Sequence, residues 1–224
     1  MFNNIAPGYD SLNHTMSFHT DRLWRKAAIK AVSTTGIPVR KILDVGTGTA
    51  DLAIMAAVSL RPESVTGIDI ADGMMEIGRR KVDEAGLSGV VTLLNEDCGK
   101  LHFADGEFDA VISAFVLRNF EDIAGCLTEI RRVLSADGVA VFVDLAEPRH
   151  CPMRQLYRIY KTVVMPIFSG RIIKDRKAAK YLDHSMEAVP VGKDMEDIFR
   201  KAGFTDVRHR SMTFGLCHLY MARR

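Results

Sequence analysis

Apolar and polar positions along this chain follow two alternating rhythms. Short strand-like runs with turn punctuation, at 40–45 (Ile42, Leu43, Val45), 64–69, 90–95, 108–114 and 138–145, predict buried strands. Runs with apolar residues every third or fourth position, at 21–32, 51–60, 72–86 and 121–134, predict helices. In the first of these Leu23, Trp24, Ala27, Ala28 and Ala31 recur at helical spacing, and Thr20 or Asp21 can cap the start. Gly86, Gly89 and Gly138 fall where helices should stop. Strands alternating with helices predict an α/β fold, a doubly wound, mostly parallel sheet with helices on both faces.

The rhythm changes after residue 150. Met153, Leu156, Tyr157, Tyr160, Val163 and Val164 form one apolar helical stripe ended by Pro166, and 149–180 holds nine basic residues against one acid, Asp175. A helix at 194–202 stops at Gly203, and strands near 205–211 and 215–222 read as an antiparallel hairpin on the sheet edge, for seven strands in all. The expectation is a single domain over 1–224, with 1–35 and 150–190 as a small helical cap on the substrate side.

Bulk properties narrow the function. At 224 residues and 47% apolar content the chain suits one domain with a substantial core. Thirty basic against 28 acidic residues leave +2, which does not advertise nucleic acid as a partner. Cys98, Cys126, Cys151 and Cys217 form no Cys-x-x-Cys pair, which argues against a zinc site and a disulfide framework and suits a reducing cytoplasm, and no metal is expected. The N-terminus has no secretory signal pattern, and no run reaches the roughly 18 apolar residues a membrane span needs.

The chemistry concentrates at 40–51. A strand runs into Gly46-Thr47-Gly48-Thr49-Ala50, and a helix follows at once. Glycines let a ligand approach the backbone, and the helix start presents free N–H groups. A dinucleotide fingerprint wants a third glycine where Asp51 stands. Asp-x-Gly-x-Gly-x-x-Asp instead resembles the first motif of S-adenosylmethionine (SAM) methyltransferases. That resemblance implies that Asp44 holds the loop and that the methionine end lies across Gly46 and Gly48. The family loop has a further glycine where this chain has Ala50.

Ligands of such sheets bind at the carboxyl ends of the strands. At the second end Asp69 can accept both ribose hydroxyls, as in nicotinamide enzymes too. At the third, Asp97 can accept from an adenine amino group while the Cys98 N–H faces the ring. The alternative for either acid is a helix cap. Past the fourth strand, Arg118 and Asn119 follow an apolar run. They either meet a substrate or serve structure, Asn119 by capping the helix at 121–134 and Arg118 in an ion pair.

Further segments carry a closer resemblance. Tyr9-Asp10-x-Leu12-Asn13, Ser17-Phe18, Trp24-Arg25, Leu117-Arg118-Asn119, Arg132-Val133-Leu134 with Gly138, and Glu147-Pro148 look like the ubiquinone/menaquinone biosynthesis C-methyltransferases. So do 157–166, Tyr181-Leu182-x-x-Ser185 and Ala202-Gly203-Phe204, in one register to the end. The resemblance implies a Rossmann-like class I fold, SAM as cofactor and transfer to a ring carbon of a polyprenylated quinol. Its SAM contacts carry over to Thr49, Asp69, Asp97 and Cys98. Ala114 and Asp144 depart from the residues usual there, a serine in some relatives and a glutamate. Relatives also tend to carry a short segment ahead of Met1.

The expected mechanism aligns a demethylmenaquinol carbon with the sulfonium methyl. Arg118 stabilises the quinol oxyanion or positions a water that takes its proton, and Asn119 holds it. Asp144, Tyr9 and His14 are further candidates for hydroxyl partner or proton acceptor, and Tyr160 lines an apolar groove for the tail. The basic stretch at 149–180 leaves room for peripheral contact with the cytoplasmic membrane face. Dimerisation stays open, as does benzoquinol against naphthoquinol. The rivals are a nucleotide-dependent oxidoreductase, a SAM-binding scaffold without turnover, and methylation of another small hydrophobic acceptor.

Overall fold

The structure, a computed structural model, describes residues 20–160, 162, 186 and 189–224. Tyr9, His14 and most of the expected cap lie outside them. Seven strands form one sheet: β1 (Lys41–Val45), β2 (Ser64–Asp69), β3 (Val91–Asn95), β4 (Phe108–Ala114), β5 (Leu134–Leu145), β6 (Thr205–Met212) and β7 (Cys217–Arg223). Their order is β3-β2-β1-β4-β5-β7-β6. The first five run parallel, while β7 is antiparallel to both β5 and β6.

Both faces are covered, so consecutive residues of the central strands are buried whichever side they face. On β5, Val139, Val141 and Val143 face one core, and Ala140 and Phe142 face the other. The first core takes α1 (Thr20–Ser33) through Trp24, Ala28 and Val32, α2 (Asp51–Leu60) through Leu52, Ala53 and Ala56, and α3 (Asp72–Glu84) through Met75 and Val82. The second takes α4 (Ile123–Val133) through Leu127 and Ile130, and α6 (Lys193–Lys201) through Met195 and Phe199. Phe142, Phe199 and Tyr220 pack ring against ring there. The short α5 (Met153–Ile159) buries no residue, and Leu156 and Ile159 are more than half exposed.

Several boundaries differ from the sequence expectation, and two of them have a clear cause. The fifth strand starts at Leu134 rather than 138, and Gly138 lies inside it instead of ending a helix. Leu134 pairs with Phe108, but the register then slips, and the next pair is Ala110 with Val139. Exposed Ala136 and Asp137 belong to that irregularity, and their polarity hid the strand start. The third helix ends at Glu84, after which Gly86 takes the left-handed backbone (φ 69°) that stops it.

Beyond β1 the chain builds outward to β2 and β3, then returns to β4 and β5 on the other side. The carboxyl ends of β1 and β4 flank this switch point, where open α/β sheets bind ligands.

Candidate active site

The 46–51 loop leaves β1 through three left-handed residues: Gly46 (φ 67°), Gly48 (φ 54°) and Ala50 (φ 64°). The missing family glycine is therefore missing in residue type but kept in backbone shape. A left-handed turn costs a Cβ-bearing residue roughly 1–2 kcal/mol. Burial of the Ala50 methyl against α3 offsets part of this. A Cβ on Gly46 would collide with Val116, so the chain past β4 packs directly on the loop. A Cβ on Gly67 would lie 2.7 Å from Thr47 Oγ1 and 2.6 Å from Leu93 Cδ2, so that strand glycine makes room for the loop from below.

Carboxylates fix the loop at both ends. Thr47 Oγ1 donates to Asp44 Oδ2 at 2.8 Å, beneath the turn. Burial pushes the Asp44 carboxyl up to about 7, against the pull of the Thr47 hydroxyl and the Arg25 charge. Asp69 Oδ2 accepts from Gly48 N–H at 2.9 Å and Oδ1 from Ala71 N–H at 2.8 Å. Asp69 thus ties the second strand end to the glycine loop rather than simply capping a helix. Burial raises its carboxyl as well, opposed by the Ala71, Gly48 and Ile70 N–H groups.

Asp69 and Asn95 are register partners on neighbouring strands, which brings Asp97 and Cys98 to the same sheet edge. Asp97 is exposed, and its Oδ1 accepts from Gly99 N–H at 2.9 Å. The Cys98 side chain turns to Cys126 on α4, with sulfurs 2.8 Å apart, so only the main chain of Cys98 remains to serve a ligand.

At the end of β4, Phe115 holds a left-handed backbone (φ 66°) while buried, a conformation that costs on the order of 1–3 kcal/mol. Its N–H donates to Val143 O at 2.8 Å, and its carbonyl accepts from Arg118 Nη1 at 2.7 Å. The bend delivers the turn Leu117–Asn119 to the site. There Arg118 forms a buried ion pair with Asp144, whose Oδ2 also accepts from Arg118 N–H at 2.9 Å. Asp144 Oδ1 accepts from Leu145 N–H at 2.7 Å as well, so three donors hold this carboxylate. Arg118 Nε is buried and has no hydrogen-bond partner among the described residues. Asn119 does not cap the following helix: Asp122 does, its Oδ1 accepting from Gly125 N–H.

Sequence reasoning missed Arg25, Lys81 and Phe115 as parts of the site. Arg25, only 8% exposed, pairs with Asp21 and approaches Asp51 at 3.7 Å, and its guanidinium lies 5.0 Å from the Phe115 ring. Lys81 on α3 also pairs with Asp51 and reaches Thr49 Oγ1 at 3.3 Å. An arginine four residues after an aspartate on an apolar helix was the available signal. Tyr160 stacks on Tyr157 with ring centroids 6.2 Å apart, and burial raises its phenol. A separate cavity of about 610 Å³, lined by Glu147, His150, Met153, His209 and His218 among others, includes none of the sequence-predicted site residues.

These residues fit a nucleoside without a diphosphate. The loop offers bare backbone at Gly46 and Gly48, and Asp69 is fixed beside it. At the α2 N-terminus, where a dinucleotide would seat its pyrophosphate, the chain places the Asp51 carboxylate. Among the described residues no cluster suits a metal ion.

Comparison with known proteins agrees. In solved structures, a SAM-dependent methyltransferase from Aquifex aeolicus superposes with TM-score 0.63 at 18% identity, covering 88% of both chains. Haemonchus contortus phosphoethanolamine N-methyltransferase 2, solved with SAM, gives 0.66 at 15% identity over 89% of this chain and 52% of its own. The demethylmenaquinone methyltransferase of Bacteroides fragilis is 44% identical, covering all of this chain and 91% of the relative. That of Thermus thermophilus is 38% identical over the full length of both, and the ubiquinone/menaquinone C-methyltransferase of Geotalea uraniireducens is 36% identical over all of this chain and 94% of its own. The profile of the ubiE/COQ5 methyltransferase family matches residues 1–224, and the chain belongs to that family.

Proposed function

We propose that this protein transfers a methyl group from SAM to a ring carbon of a demethylmenaquinol, giving a menaquinol. The names of the B. fragilis and T. thermophilus relatives support this acceptor over a benzoquinol. The observation that carries the reading is Arg118: its guanidinium is anchored by Asp144 and the Phe115 carbonyl, while its buried Nε–H has no acceptor among the described residues. A buried donor without a partner costs about 1–3 kcal/mol unless something accepts from it. A quinol oxygen at that point is such an acceptor.

SAM, when bound, supplies an already activated electrophilic methyl group. Thr49, Asp69, Asp97 and the main chain of Gly46, Gly48 and Cys98 would hold it, with Asp44 supporting the loop. The chain then has to align the acceptor and raise electron density on its carbon. Arg118 Nε–H donates to the quinol oxygen and favours its ionised form. The hydroxyl proton passes to a water that Arg118 orients. The ring carbon beside that oxygen gains the methyl group and loses its own proton as aromaticity returns. Asp144 keeps Arg118 aimed, with three donors already on its two oxygens.

In this reading the segments 1–35 and 150–190 cap the substrate side, with Tyr9, His14 and Tyr160 near the quinol. No described helix is long and apolar enough to cross a membrane. Exposed Leu156 and Ile159, beside Arg154 and Arg158, instead support peripheral contact with an anionic cytoplasmic leaflet. The test is turnover of a short-tailed demethylmenaquinol with SAM, read by mass spectrometry. Arg118→Lys, which keeps the charge beside Asp144, should bind S-adenosylhomocysteine (SAH) normally yet lose most product formation. Unchanged turnover removes Arg118 from the scheme.

A further inference from the structure

Cys98 sits just past β3, in the segment assigned above to the adenine edge of the cofactor. Cys126 lies near the start of α4. They are 28 residues apart in sequence, and fold topology alone brings them together with sulfurs 2.8 Å apart. Both are free thiols. Cys98 is partly open to solvent and Cys126 is 5% exposed behind it, so a small oxidant reaches the pair from one side. The contact also polarises the pair. Either thiol can donate to the other, so a thiolate formed on one sulfur is held by the remaining S–H. A thiolate beside a thiol donor is the arrangement that oxidises readily.

We propose that Cys98 and Cys126 are a redox modification site that closes to an intramolecular disulfide under hydroperoxide and thereby weakens cofactor binding. The thiolate of the pair attacks hydrogen peroxide, forming a sulfenic acid and releasing hydroxide, which takes up a proton to become water. The second thiol attacks that sulfur, the S–S bond forms and a second water leaves. Two thiols are oxidised and one peroxide is reduced. A dithiol reductant reverses the change.

The coupling follows from position and rests on the SAM reading above. Bonded sulfurs stand about 2.05 Å apart. Closing the bond therefore draws the 95–100 loop towards α4 and moves the Cys98 N–H that is assigned to the adenine ring. Linkage is reciprocal: if the disulfide weakens SAH binding, SAH must favour the dithiol by the same factor.

The test uses the full chain carrying Cys151→Ser, which removes the exposed thiol. After treatment with equimolar hydrogen peroxide, alkylation and digestion, mass spectrometry should find the Cys98 and Cys126 peptides cross-linked and two hydrogens lighter. Dithiothreitol should reverse this, and in a buffer of oxidised and reduced dithiothreitol at equilibrium SAH should lower the disulfide fraction. Calorimetry should give SAH affinity about fivefold or more weaker in the oxidised protein, within the usual range of site–site coupling. Cys126→Ser, with normal affinity before treatment, should show no peroxide-dependent cross-link. Oxidation of Cys98 alone to sulfinic acid, or cross-links only between molecules, overturns the proposal. A disulfide with undiminished SAH affinity overturns the coupling. Failure of the reduced protein to bind SAH would instead sink the cofactor reading, while the cross-link is read independently.

Discussion

Asp144 receives both the main-chain N–H and the guanidinium of Arg118, so the last residues of β5 hold the turn after β4 by two separate grips. Side chains of both residues are almost fully buried, at 6% and 5% exposure. Removing one partner of a buried pair leaves an uncompensated charge and typically costs 3–5 kcal/mol, roughly. Asp144→Asn should therefore lower the unfolding midpoint sharply in thermal melts and reduce turnover with it. Arg118→Lys keeps the charge but not the planar fork, and cannot pair with Asp144, reach the Phe115 carbonyl and offer an Nε–H together. Its turnover should fall roughly a hundredfold, the cost of losing one donor to a developing oxyanion, with SAH affinity unchanged.

Asp69 acts on the cofactor side. Its two oxygens take N–H groups from Gly48 and Ala71. Asp69→Ala frees both donors and removes the expected ribose acceptor. Hydrogen bonds to a charged group are worth about 1.5–3 kcal/mol each. SAH affinity should drop at least about tenfold by calorimetry. Retention of wild-type affinity would refute the placement of the nucleoside.

Much of this was legible in the sequence because it rests on periodicity and on strand ends. Strand-like runs such as 108–114, apolar but for Asp109 and Ser113, identified strands covered on both faces, and the Asp44 to Asp51 pattern located the loop. Ala50 shows the limit: residue type suggested a departure from the family loop, but the backbone takes the left-handed shape regardless. Long-range partners were illegible for a different reason. Arg118 and Asp144 are 26 residues apart, Cys98 and Cys126 are 28, and Arg25 meets Asp51 from another helix. Such contacts are set by strand order, which no local pattern encodes.

Asp44 makes stability depend on pH with a defined sign. Its folded carboxyl stands near 7 against an ordinary 3.8. Between those values the unfolded chain has released the proton that the folded chain retains, so stability falls as pH rises from about 4 to 7, then levels. The full effect is on the order of 4 kcal/mol. Asp44→Asn carries no such proton. Denaturant unfolding at pH 5 and pH 8 should show the wild type losing ground relative to the variant at the higher pH. Parallel behaviour of the two proteins would show that Asp44 is ionised in the fold already at pH 5.

Gly78 tests whether α3 is packed on the cofactor loop as closely as the structure places it. In mid-helix, glycine is about 1 kcal/mol worse than alanine, so Gly78→Ala would ordinarily stabilise α3. Here the added Cβ would stand 2.9 Å from Leu93 Cδ1 and 3.2 Å from both Ala50 Cβ and the Thr49 carbonyl carbon. Leu93 can rotate away, but Thr49 is loop backbone, already fixed by the Ala50 turn. Overpacking of this kind costs about 1–3 kcal/mol, which outweighs the propensity gain. Gly78→Ala should therefore lower the melting midpoint despite its better helix residue. Because the strain falls on Thr49, SAH affinity should weaken in the same variant. A stabilised protein with intact SAH binding would mean that α3 stands farther from the loop than these distances indicate.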